Sequence, residues 1–160
     1  MSLLNSLIDS YMNTVAGLTL FIKNTKRILP SHIERAIRLE IKNVNIPDDF
    51  ADLIIGFAKQ KNDSDILVSL SVLRTYMKEP ITKEALVFLS RCIEYIIHDI
   101  LELVSITMYE NKKMRISVDS VIGCIKSDEV LSKLFVIYNQ EKTIFSKKVR
   151  TVLNEHTTRR

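Results

Sequence analysis

Along residues 2 to about 24, apolar side chains fall at Leu3, Leu4, Leu7, Ile8, Tyr11, Met12, Val15, Leu18 and Ile22. Steps of three and four residues line one face of an amphipathic helix, so the chain is expected to open with a long one. The polar break NTKRILP follows. Ser31, with Glu34 three residues on, has the form of a capping box and predicts a short helix through Ile33, Ala36, Ile37 and Ile41. Pro47 should begin a second short helix. Proline suits a first turn, Asp48 and Asp49 suit the positive end of the helix dipole, and Phe50, Leu53, Ile54 and Phe57 supply an apolar face. The stretch KQKNDSD reads as a linker.

The second half opens with an expected short helix over residues 66–77, broken by MKEPIT. Thr82 is placed to cap a helix running to about residue 109, with Ala85, Leu89, Cys92, Ile93, Ile96, Ile97, Ile100, Leu101, Val104 and Met108 on its buried side. At ~1.5 Å per residue it spans roughly 40 Å. The break NKKMRI precedes a short helix over residues 117–125, SDEVLSKLF reads as one more, and the chain from Gln140 onward is basic and only weakly periodic. Set side by side, the halves repeat: Asn24 answers to Asn111, and Ile28 to Ile116 within one position. Two copies of a helical unit packed on each other are implied, with complementary stripes that let the long helices cross as a handshake.

Composition narrows the choice of fold. The chain has 160 residues, 46% of them hydrophobic, which is enough for one core of ordinary size and excludes disorder as its main state. Three Gly and three Pro leave little material for a sandwich or barrel, so the expected class is all-α. Cys92 and Cys124 sit among apolar residues and form neither a disulfide framework nor a zinc pattern. No apolar run approaches the roughly 18 residues of a membrane span, and MSLLNSLIDS lacks a signal peptide's basic lead and cleavage site, so no membrane partner and no secretion are expected.

The net charge of +4 is unevenly placed. Residues 1–65 hold eight basic against eight acidic side chains, residues 66–136 nine against nine, and residues 137–160 six against two. Such a field is weak for a polyanion binder, so any DNA contact must rest on a few placed cations. The clusters Lys23, Lys26, Arg27 and Lys112, Lys113, Arg115 read, on residues alone, either as solvated turns or as phosphate contacts. His32 and His98 have no Cys, Ser or second His at catalytic or ligand spacing, and there is no Gly-rich phosphate loop. Neither an enzyme, a metal site nor a cofactor is expected.

Short helix, loop, long helix, loop, short helix resembles the histone fold. In the second half, EYIIHDILEL, ENKKMRI and IKSDEVLSKL resemble histone 2A over residues 66–136. In the first, MSLLNSLIDSYMNTVAG, NTKRILPSHIERAIR and PDDFADLI resemble histone 2B over residues 1–60, from inside its central helix onward. The order 2B then 2A is similar to the histone doublets of marseillevirus-type giant viruses, in their shortened form. Residues 61–65 are then a linker, and residues 137–160 a basic extension.

The resemblance implies two histone-fold units in one chain forming a pseudo-dimer, the first without its leading helix. Apolar surface around Leu4, Leu7 and Ile8 should then lie partly uncovered. It implies DNA contacts at Lys23, Lys26 and Arg27 in one second loop and at Lys112, Lys113 and Arg115 in the other, with Arg74 and Lys78 as lesser contributors and Lys83 and Arg91 as candidates or plain surface charges. It also implies an acidic patch of Asp48, Asp49, Glu94, Asp99, Glu102, Asp128 and Glu129, the three helical members broadly sharing one face. Val130 stands where the family has a further carboxylate. The implied partners are double-stranded DNA, histones 3 and 4, either separate or as a fused viral doublet, and a second copy across the particle, in a host nucleus, viral factory or virion. Several residues around Lys42 to Ile46 are inserted, the loop after Tyr76 is short, and no basic N-terminal tail precedes the first helix, so regulation through tail lysines is not expected. The extension with Lys142, Lys147, Lys148 and Arg150 is either a docking segment for histones 3 and 4 or a DNA-binding arm. The reading of another class is a histone-fold transcription-factor subunit acting in protein docking.

Overall fold

The computed structural model describes residues 2–22, 24–60, 66–112 and 115–135, and the described residues form seven α-helices. They are α1 (Ser2–Ile22), α2 (Pro30–Asn43), α3 (Asp48–Gln60), α4 (Leu70–Tyr76), α5 (Lys83–Glu110), α6 (Val118–Ser127) and α7 (Glu129–Leu134). The all-α class is observed.

Local chemistry sets most boundaries. Thr82 Oγ1 accepts the Ala85 N–H at 3.2 Å to open α5, Ser117 Oγ accepts the Ser120 N–H at 3.1 Å to open α6, and Asp128 Oδ2 accepts the Val130 and Leu131 N–H groups at 3.1 and 2.8 Å to open α7. The start of α2 corrects the expected capping box. Pro30, not Ser31, begins the helix, and His32 Nδ1 takes the Leu29 N–H at 2.9 Å in place of Glu34. Because Nδ1 accepts, Nε2 carries the proton and faces Asn24 Oδ1 at 3.3 Å. Helix α2 ends where Asn45 takes a left-handed conformation at φ 59°, the Ile46 N–H closes on the Ile41 carbonyl at 3.0 Å, and Ile46 is buried. The expected helix from residue 66 begins only at Leu70. Ser90 Oγ donates to the Val68 carbonyl at 2.9 Å, which ties the non-helical segment before α4 to α5.

One core joins all seven helices. The broad contacts are α1 with α2, α2 with α3, α3 and α2 with α5, α4 with α5 and α1, and α6 with α5 and α7. The Tyr11 phenol of α1 is held well above its ordinary range, first by burial and then by its closeness to Glu40 of α2 and Cys92 of α5; α1 and α5 do not share a broad contact among the described residues. Tyr11 Oη and Glu40 Oε2 are buried with no hydrogen-bond partner among the described residues, and burial pushes the Glu40 carboxyl up to about 8. Helix α3 lies on α5 through Tyr95, whose ring sits 6.1 Å from that of Phe50 and 5.5 Å from that of Phe57. Its buried stripe is Phe50, Ala51, Ile54, Ile55 and Ala58, so Leu53, expected on that face, is 57% exposed.

The N-terminal end of α1 is not bare. Leu3 and Leu7 are buried, Ile8 is half-buried against the core, and Tyr76 Oη of α4 donates to Asp9 Oδ1 at 2.7 Å. That hydrogen bond, with burial and the Asp9 charge behind it, pushes the Tyr76 phenol up to about 12. The side chain of Leu4 lies outside the described residues.

Candidate nucleic-acid interface

The loop between α1 and α2 and the loop between α4 and α5 lie side by side. Ile28 and Ile81 form a parallel bridge: the Ile28 N–H donates to the Pro80 carbonyl at 2.8 Å, and the Ile28 carbonyl accepts the Thr82 N–H at 3.1 Å. Ile28 is fully buried, which anchors the pair from beneath. Lys26 and Arg27 are exposed on one side of this bridge and Lys78 on the other, while Thr25 Oγ1 donates to the Arg27 carbonyl at 2.6 Å and fixes the loop. Arg74 is exposed in the last turn of α4. Lys23 lies outside the described residues.

A cavity of about 430 Å³ opens at this end, lined by Pro30, Lys59, Lys83, Glu84 and Arg91 among others. Lys83 is exposed, but Arg91 is 2% exposed, so it is a buried residue and not a surface charge. Sequence reading missed this grouping because Lys59 comes from the other half of the chain. Lys59 also pairs with Glu34 at 3.4 Å, and Arg38 pairs with Asp52 at 2.9 Å, which ties α2 to α3.

The loop after α5 has a different setting. Lys112 is exposed in a left-handed conformation at φ 53°, Arg115 is exposed, and Lys113 lies outside the described residues. Ile116, the counterpart of Ile28, is 56% exposed and makes no backbone hydrogen bond among the described residues. Among the described residues, no other loop is hydrogen-bonded to this one as the loop of Ile81 is to that of Ile28.

The acidic set divides. Asp99, Glu102 and Asp128 are close enough to raise the Asp99 pKa, with desolvation the largest cause and the charges of Asp128 and Glu102 next. The Phe50–Tyr95 contact brings the start of α3, with exposed Asp48 and Asp49, onto α5 one turn before Asp99. Glu129 is exposed beside them. Glu94 does not belong to this face: it is 2% exposed, with the His98 ring at 3.8 Å. The reason is helical geometry, since five residues at ~100° each turn Glu94 about 140° away from Asp99, whereas Asp99 and Glu102 differ by about 60°. Lys133 enters the acidic region unannounced, its Nζ 3.8 Å from Glu129 and 3.4 Å from the Asn45 carbonyl.

The arrangement offers charge and hydrogen-bond donors. Burial holds the Cys92 thiol well above its ordinary range, and among the described residues no group of three or more His, Cys, Asp or Glu could hold a metal ion. No described helix is long and apolar enough to cross a membrane. Neither a protein-family model nor a curated protein matches this chain.

Proposed function

We propose that this chain is a structural DNA-packaging protein, a histone 2B-like unit followed by a histone 2A-like unit, that binds double-stranded DNA without reading its sequence. The observation that carries the reading is the Ile28–Ile81 bridge, which joins the loop of exposed Lys26 and Arg27 to the loop of exposed Lys78. Paired loops of this kind suit successive phosphates, because positioned cations and loop amides fix a duplex without touching base edges. The order of helices in residues 70–127, short, long, short, is the order that the resemblance to histone 2A calls for. Histones 3 and 4 are the partners this reading supplies, a nucleus, viral factory or virion its setting, and catalysis has no part in it.

Binding to two unrelated duplexes, followed by fluorescence anisotropy across a salt series, tests it. Affinities should agree within about threefold and fall steeply with salt, and replacing Lys26, Arg27 and Lys78 by Ala should flatten the log–log slope by about three. Absence of DNA binding, with tight capture of a histone-fold partner, would favour the protein-docking subunit instead.

A further inference from the structure

The cavity of about 430 Å³ between α3 and the start of α5 has two unlike walls. One is apolar, supplied by Ala58, Ile66, Val87 and Phe88. The other sets three cations, Lys59, Lys83 and Arg91, against the single carboxylate of Glu84. Pro30 begins α2, and Lys83 and Glu84 begin α5, so the positive ends of a 14-residue and a 28-residue helix adjoin the same cavity. Arg91 lies about two turns further along α5 and is 2% exposed. Its guanidinium stays ionised whatever surrounds it, and at that depth salt screens it little. Lys83 is exposed and makes no ion pair among the described residues. Lys59 pairs with Glu34 at 3.4 Å, a partly exposed contact that costs little to exchange for another anion.

We propose that this cavity is a binding site for a small organic diphosphate of the nucleoside type. The diphosphate lies among Lys83, Arg91 and Lys59, and the ring body lies on the wall of Ala58, Ile66 and Val87. A bare anion would leave that wall in water, and an uncharged ligand would gain nothing from the cations. Three cations in one cavity also exceed what a single carboxylate calls for. The volume falls within the roughly 300–1,000 Å³ of small-ligand sites, in which an apolar lining carries the body and a few polar groups fix its orientation. The site is separate from the edge proposed for DNA, because Lys26, Arg27 and Lys78 do not line the cavity, and it does not depend on the packaging reading.

Titration calorimetry of the full chain with ADP, without divalent cations or DNA, tests it, with inorganic pyrophosphate and adenosine as partial probes. ADP should bind one to one and at least ~10-fold more tightly than either, because each partial probe engages one wall only. Lys83→Met, at an exposed position, should weaken ADP and pyrophosphate alike by about 10-fold, the size of one lost charge-assisted contact. Ile66→Ser, also at an exposed position, should weaken ADP and not pyrophosphate. Urea midpoints equal to that of the native chain show that both variants are folded. Absence of ADP binding overturns the proposal, as does equal affinity for ADP in either variant, which would place the nucleotide elsewhere on the surface. Pyrophosphate bound as tightly as ADP overturns it too, since charge alone would then account for the binding.

Discussion

Ile28 and Ile81 belong to different halves of the chain, and two backbone hydrogen bonds, at 2.8 and 3.1 Å, join their loops into a parallel bridge. The Thr82 hydroxyl adds a third contact to the Ile28 carbonyl at 3.3 Å while its oxygen caps α5, so one residue both starts the longest helix and clamps the opposite loop. Ile28→Ala should cost about 2–5 kcal/mol of stability, as for other fully buried isoleucines. Ile116→Ala, at the exposed counterpart, should cost less than about 0.5 kcal/mol. Denaturant titration of the two variants checks the difference.

The same asymmetry should govern DNA binding. Arg27 has Lys78 across the bridge, whereas Arg115 has no partner loop among the described residues. Arg27→Ala is expected to weaken duplex binding more than Arg115→Ala, measured by anisotropy at one fixed salt concentration. A larger loss at Arg115 would mean that the unpaired loop is the principal contact.

Much of this was legible in the chain. Thr82, Ser117 and the acidic turn at Asp128 announced three helix starts, because a cap is a local event decided by one side chain and the amides just after it. Glu94 and Arg91 were not legible. Their burial depends on which neighbours pack over α5, and the five-residue step from Glu94 to Asp99 was too wide to keep both on one face. Leu53 was misplaced for a related reason: α3 turns the stripe from Phe50 to Ala58 onto α5, a choice made by Tyr95 across the interface. Lys133 could not be placed near Asn45 before the path of α7 was known.

Stability should fall as pH rises from about 4.5 to about 8. The Glu40 carboxyl titrates near 8 when folded and near its ordinary 4.5 when unfolded, so the folded state holds the extra proton throughout that window. Its favourable contribution is complete below 4.5, declines through the window, and is gone above 8. Glu40→Gln should remove this slope, leaving the variant more stable than the native chain at pH 8 by a few kcal/mol, on the order set by a shift of this size in a buried group. Urea midpoints at pH 5, 6.5 and 8 for both proteins give the comparison.

Peptides anchored by an arginine should bind the acidic region weakly. Val130 supplies no carboxylate there, and Lys133 sits 3.8 Å from Glu129. Because Val130 is partly buried against the core, Val130→Glu combines a new charge with lost packing, and Lys133→Ala is the cleaner change. Lys133→Ala should tighten an arginine-anchored peptide by about 3- to 10-fold at low salt, as expected when a competing cation is removed from a charge-assisted site. Titration calorimetry with one peptide on both proteins measures it.

The most direct measurement is nuclease digestion of the chain assembled with histones 3 and 4 on long DNA of mixed sequence and washed at raised salt. The expected result is co-retention of all components and a protected fragment of uniform length, longer than histones 3 and 4 protect alone, and shortened by Arg27→Ala. Fragments no longer than those of histones 3 and 4 alone, with this chain lost in the wash, would contradict a packaging role.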